Sequence, residues 1–220
     1  MVYCEKTPFQ PNQDEILEVL KKDFFEKCYL CEDKVDSRYF EIEHFLPKKP
    51  KGSKKENEIR KNSWGNLMLA CSDCNKRKGN LEPILNPTLA DEKIDEKICF
   101  RIVLDENTNN GSKIVIDTVN QGSVKTQNTI KLLKQIHNGK SGSAKIKSAD
   151  LREKIYNEIV KFESFIQSYR LTEKQQRKNE LLQSIIDGLS NRTPFTAFKR
   201  WIVRDTPQYK EFIQYIQDED

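Results

Sequence analysis

The chain has 220 residues and a mass of 25.8 kDa, enough for one large domain or two small ones, and its 36% hydrophobic content supports a modest core under a heavily charged surface. Its 38 Lys and Arg against 34 Asp and Glu leave a net charge of +4, a mild basicity that does not identify a nucleic-acid binder, so the distribution of charge must carry that argument. No run approaches the ~18 apolar residues of a membrane span and the N-terminus carries no apolar signal segment, which points away from a membrane protein and makes a cytoplasmic location the expectation.

In chain order, Pro11-Asn12 precede Ile16, Val19, Leu20 and Phe24 at helical spacing, which predicts a helix over about residues 13–26 that delivers the chain to Cys28. Cys28 and Cys31 form the first C-x2-C pair. Tyr39, Phe40 and Ile42 give a short β-like run that ends at Glu43-His44 and is stopped by Pro47. From Lys48 to Lys61 comes the densest basic stretch, with Lys48, Lys49, Lys51, Lys54, Lys55, Arg60 and Lys61 against only Glu56 and Glu58. Such a run is a solvated loop or, beside a hydrolytic site, a phosphate contact that gains affinity by displacing counterions. Leu67 to Ala70 is apolar and suited to pair with the Tyr39 run. After the second pair, Cys71-x2-Cys74, the stretch from Cys74 through Asn75 to Lys78 opens a helix that Gly79 and Pro83 end.

Further on, Ile98 to Leu104 and Lys113 to Val119 are β-rich runs separated by a turn-forming stretch over residues 105–112, which reads as a hairpin without recognisable chemistry. Thr126 to His137 is helical by the spacing of Ile130, Leu133 and Ile136, and residues 139–143 follow as a flexible break. The expected domain boundary falls there, with a first unit over 1–140 and a helical region over 144–220. That region predicts helices over 149–169 and 173–189, then two short ones opened by Thr193-Pro194 and Thr206-Pro207. Their aromatics, Phe195, Phe198, Trp201, Phe212 and Tyr215, form either a core or a docking face.

The specific chemistry lies between residues 28 and 78. Two C-x2-C turns let four sulfurs reach one ion, so Cys28, Cys31, Cys71 and Cys74 are expected to ligate a structural Zn2+; Cys4 and Cys99, standing alone, are expected to pack as small hydrophobes. A site of four thiolates has no open position, and catalysis must come from oxygen and nitrogen groups nearby. His44 follows an acid, lies between the zinc pairs, and is matched by Asn66 and Asn75 on the elements that fold against it. A histidine near neutral pKa can take a proton from water, and a carboxylate with an amide oxygen can hold a hard divalent cation.

The segments Glu43-His44-Phe-Leu-Pro47 and Trp64-Gly-Asn66 through Cys71-Ser-Asp-Cys74-Asn75 to Lys78-Gly79 resemble the HNH endonuclease motif over roughly residues 28–80. The resemblance implies an α+β fold: a ββα-metal HNH core with a Cys4 zinc knuckle and a β-hairpin, followed by a helical C-terminal region. It implies that His44 is the general base, that Glu43 and Asn75 hold the catalytic cation, and that Asn66 orients the loop bearing the histidine. Glu43 is one methylene longer than the aspartate many members carry. Asn75 stands where others have histidine, and an oxygen donor there favours Mg2+ or Mn2+ over zinc or nickel. Lys78 is grouped with Lys48, Lys49, Lys51, Lys54 and Lys55 as a nucleic-acid contact. Outside the motif, the order of segments resembles HNH proteins that accompany an ATPase in bacterial anti-phage systems of the Septu and retron-linked types.

These readings make the expected function metal-dependent hydrolysis of DNA, with RNA also compatible, as the effector of an anti-phage defence gated by an ATPase partner docked on the helical tail. The competing expectation is a non-catalytic zinc-knuckle module that binds nucleic acid or protein through the basic loop.

Overall fold

Two short antiparallel strands carry the central stretch. In the computed structural model, which describes residues 12–105 and 112–216, β1 (Phe40–His44) pairs with β2 (Leu67–Cys71), so that Phe40 opposes Cys71 and His44 opposes Leu67. Cys4, Pro11 and nearly all of the expected turn over 105–112 lie outside the described residues. β2 is buried along its whole length because α1 (Gln13–Asp23) and α3 (Ser72–Lys78) both pack on it, which explains an apolar run without alternation.

Asn12 starts α1 with a reciprocal capping box to Glu15. The helix stops three residues short of the predicted end, because Phe25 and Glu26 turn left-handed at φ 53° and 57° and swing the chain into Cys28. α3 ends at Gly79, whose φ of 50° suits a residue without a Cβ. Within the basic stretch, a one-turn helix that hydrophobic periodicity did not predict, α2 (Glu58–Asn62), is capped by the Asn57 side chain on the Arg60 amide. It is too short and polar for a periodic signal.

After the short α4 (Ile94–Lys97), β3 (Ile98–Leu104) and β4 (Ser112–Thr118) form the expected antiparallel hairpin, with Phe100 opposite Ile116. α5 (Val124–His137) packs on β4. α6 (Gly142–Leu171) starts seven residues earlier than predicted, inside the stretch read as a flexible break, so the connection shrinks to residues 138–141. Its geometry is tight: Ser148 Oγ donates to the Ile136 carbonyl and accepts from the Gly139 amide, and a Cβ on Gly139 would lie 2.5 Å from the Ala144 oxygen.

α7 (Gln175–Leu189) follows the prediction, but Thr193-Pro194 does not open the next helix. Thr193 Oγ1 instead bonds back to Gly188 and Ser190, Phe195 adopts φ 55°, and α8 (Thr196–Asp205) begins where the Glu32 carboxylate meets the Ala197 amide at 3.0 Å. Thr206-Pro207 does open a helix, of 3-10 type, over Pro207–Tyr215.

One core cluster runs from Leu20, Tyr29 and Met68 through Phe100, Ile116 and Leu132 to Ile155, Phe198 and Trp201; a second holds Phe162, Ile166, Ile185, Val203, Tyr209 and Phe212. Phe195, Phe198, Trp201 and Phe212 are therefore core residues, while Tyr215 is half-buried. Cys99 is buried against the hairpin core as expected. No helix among the described residues is long and apolar enough to cross a membrane.

Two expectations follow from this packing. A Cβ at Gly188 would lie 2.7 Å from the buried Phe162 ring, so Gly188→Ala should cost about 1–3 kcal/mol by overpacking, read from urea denaturation. His137 is buried beside Arg152 and Arg77 with its ring edge on Phe198, and burial first, then those charges, push its pKa down to about 3. The unfolded chain takes up this proton near pH 6.5 and the folded chain only near 3, so the contribution is intact above 6.5 and falls by about 1.4 kcal/mol per pH unit between the two. His137→Gln should flatten the pH dependence of stability in that window, measured by denaturation at stepped pH.

Candidate active site

The knuckle assembles from two turns. Cys28 and Cys31 sit on a tight loop closed by the Cys28 amide on the Asp33 carbonyl and the Glu32 amide on the Cys28 carbonyl, while Cys71 and Cys74 lie at the β2–α3 junction. The Tyr29 amide bonds the Leu69 carbonyl and ties the first turn to β2. All four sulfurs are buried within 4.8 Å of one another, close enough to share one tetrahedrally coordinated ion. Hydrogen bonds from the other three cysteines hold the Cys71 thiol well below its ordinary range, whereas the neighbouring thiols push Cys31 and Cys74 up. Four buried sulfurs in one cluster suit a borderline-soft cation such as Zn2+.

His44 ends β1 and is half-buried. Its Nε2 lies 3.1 Å from the Lys61 carbonyl oxygen. A carbonyl only accepts, so Nε2 carries the hydrogen and Nδ1 keeps the lone pair. Burial lowers the pKa of His44, the Lys61 carbonyl opposes that shift, and the charges of Lys48 and Lys78 add to the lowering. The imidazole is therefore neutral at physiological pH, with one nitrogen able to receive a proton.

Asn66 is buried and uses both ends of its amide. Nδ2 donates to the Leu46 and Arg60 carbonyls at 2.9 and 2.6 Å, and Oδ1 accepts from the Leu46 amide at 2.7 Å. It thus ties the segment after His44 to α2, whose next residue supplies the carbonyl that orients the imidazole.

Glu43 and Asn75 border one seam. Residues 41 and 43 share a face of β1 by its period of two, and residues 75 and 78 share a face of α3 by its turn. Two polar pairs close the seam: Asn75 Nδ2 donates to Glu41 Oε2 at 2.7 Å, and Lys78 Nζ donates to Glu43 Oε1 at 2.6 Å. Because a carboxylate only accepts, the Glu41 contact fixes the flip of the Asn75 amide and leaves Oδ1 as the donor atom for a cation. Burial pushes the Glu43 carboxyl above the usual carboxylate range, and the Lys78 ammonium opposes it. The oxygen donors of Glu43 and Asn75 fit a hard divalent cation. Among the described residues, the four cysteines are the one group of three or more His, Cys, Asp or Glu side chains with converging ligand atoms.

The basic stretch divides. Lys48, Lys49, Lys51, Lys54 and Lys55 are exposed, whereas Arg60 pairs with Glu82 and Lys61 with Glu56 and Glu58. Lys78, grouped with the loop lysines on sequence, instead lies buried in the seam, where no phosphate reaches it. Sequence reasoning missed Glu41 and the true place of Lys78; the signals were the period of two from Glu43 and the spacing of three from Asn75. Outside the seam, Arg77 donates to the Gln135 and Ala144 carbonyls at 2.7 and 3.3 Å, and Lys147 joins Asp73 at 2.9 Å, so the outer face of α3 is fastened to α5 and α6.

Residues 28–81 match the family model described as HNH endonuclease. The chain is 42% identical over 69 residues to the Septu protein PtuB of Bacillus thuringiensis, a match that covers 29% of this chain and 24% of that protein. This chain therefore spans about a quarter of the length of the curated relative it matches. No solved structure matches it.

The knuckle carries a direct expectation. Cys71→Ser should reduce bound zinc from one ion per chain to near none, by metal analysis of the purified protein. It should also lower the melting temperature, because binding energy at such a site is folding energy.

Proposed function

We propose that the HNH endonuclease domain at residues 28–81 makes this chain a metal-dependent nuclease that hydrolyses DNA phosphodiester bonds with water as nucleophile. The observation that carries the reading is His44: a half-buried, neutral imidazole fixed through Nε2 on the Lys61 carbonyl, with Nδ1 left as the base. In the reaction His44 Nδ1 takes a proton from water as the water oxygen bonds to phosphorus. The bond from phosphorus to the 3′-oxygen breaks, and that oxygen takes a proton from solvent. Asn66 keeps the histidine-bearing segment and the Lys61 carbonyl in one frame. Glu43 and Asn75 hold Mg2+ or Mn2+, and Glu41 orients the amide of Asn75. When bound, the cation stabilises the charge that develops on the leaving oxygen. The exposed Lys48, Lys49, Lys51, Lys54 and Lys55 contact the DNA backbone through counterion release, a role equally open to an RNA backbone.

The likeness to a Septu protein supports a place in a bacterial anti-phage system. On this reading residues 1–140 form the nuclease unit and residues 144–220 dock an ATPase partner that gates cleavage in the cytoplasm. The exposed Ile146, Tyr156, Val160 and Leu171 on α6 support a docking role for that region.

Plasmid incubated with purified protein and Mg2+, alone and with the partner, should be nicked by the wild type and left intact by His44→Ala, while zinc content and circular dichroism are unchanged. Equal nicking by both proteins overturns the assignment, and DNA binding without cleavage in both favours the non-catalytic knuckle. Because burial lowers the pKa of His44, the acid limb of the pH–rate profile should fall below pH ~6.5, activity being lost as pH drops through it.

A further inference from the structure

Lys78 closes α3 with its side chain wholly removed from solvent. Its ammonium uses all three hydrogens, on Glu43 Oε1 at 2.6 Å, the His44 carbonyl at 3.2 Å and the Gly79 carbonyl at 3.4 Å. A buried ammonium is costly unless paired, and an apolar side chain would fill the same space, so this charge has a consequence beyond packing. Glu43 is the buried carboxylate of the seam, Asn75 is neutral, and Glu41 is exposed and engaged by the Asn75 amide. The charge of the buried carboxylate is therefore balanced within the seam, and only Glu41, exposed at its edge, is left to attract a divalent cation.

We propose that Lys78 is a positioning residue that neutralises Glu43, so that the divalent cation enters the site together with the DNA phosphate rather than before it. The inference rests on the reading of Glu43 and Asn75 as the cation's ligands. A cation held by Glu43 lies on the same carboxylate as the ammonium, and like charges repel strongly where protein excludes water. Mg2+ gives up its water reluctantly and favours anionic oxygens, which the free site does not offer in excess. A phosphodiester brings the missing negative charge. The free chain then carries a pre-aligned but weakly attracting site, and competence for hydrolysis arises on the nucleic acid.

The test uses zinc-loaded protein carrying His44→Ala, so that DNA stays intact, with Mn2+ titrated and its free fraction read by electron paramagnetic resonance. A short DNA duplex is present or absent, and Mn2+ bound by the duplex alone is subtracted. The parent should bind Mn2+ at least tenfold more tightly with the duplex than without it. Adding Lys78→Met should tighten binding at least tenfold in the absence of DNA and remove most of the gain from DNA, whereas Lys78→Arg, which keeps the charge, should behave like the parent. Equal Mn2+ affinity of the parent with and without DNA overturns the proposal. So does Lys78→Met binding no tighter while it retains zinc and its melting temperature. Should Lys78→Met not fold, the parent comparison decides by itself. Glu43→Gln separates the two levels: Mn2+ bound as well as by the parent, with DNA present, sinks the ligand assignment itself.

Discussion

Four sulfurs that must meet within one small volume set the geometry of everything around them. The loop carrying Cys28 and Cys31 and the β2–α3 junction carrying Cys71 and Cys74 are far apart in sequence, and no two short strands and a seven-residue helix bury enough surface to hold them together unaided. Once the sulfurs share an ion, α3 is fixed in direction as it leaves β2. The orientation of α3 in turn decides which of its residues face β1. The candidate site therefore takes its shape from the cysteine cluster beside it.

Along the resulting seam, β1 and α3 meet through paired polar groups rather than apolar side chains. Glu43 and Lys78 satisfy one another's hydrogen bonds where unpaired polar groups are expensive, while Glu41 and Asn75 close the exposed edge of the seam. Such pairs add little net stability compared with a packed apolar seam, yet they fix angle and register. Here the Glu41 contact also fixes which way the Asn75 amide points, and the Lys78 contact occupies one of the two Glu43 oxygens. At the end of β1, the histidine is aimed by a backbone carbonyl whose position Asn66 controls. Each polar side chain of the candidate site is thus held in place by a neighbouring group.

The helical region is joined to this site by specific contacts. Glu32, next to a zinc cysteine, caps α8, and Arg77, on the helix that bears Asn75 and Lys78, donates to the end of α5 and the start of α6. Lys154 carries an ion pair across the same boundary, to Asp33 beside the knuckle, while Lys199 pairs with Glu158 within the helices. A displacement of α6 relative to α5 would act on α3 through Arg77.

The knuckle, the two strands around it, the hairpin and most helices were legible in the sequence, because each depends on local chemistry: C-x2-C spacing, alternation, periodic apolar residues and caps. His44, Asn66 and Asn75 were legible for the same reason, as single residues at motif spacing. Where local signals failed, a distant contact had decided. Thr193-Pro194 reads as a helix start, but Glu32 supplies the cap three residues later, and residues 139–143 read as a linker although Ser148 and Gly139 lock two helices there. Lys78 shows the limit most clearly. In sequence it is one more lysine at the end of a basic run; only the packing of α3 on β1 places its ammonium on Glu43, out of reach of any phosphate. A charge's role is set by what surrounds it, and only the tertiary structure assembles those surroundings.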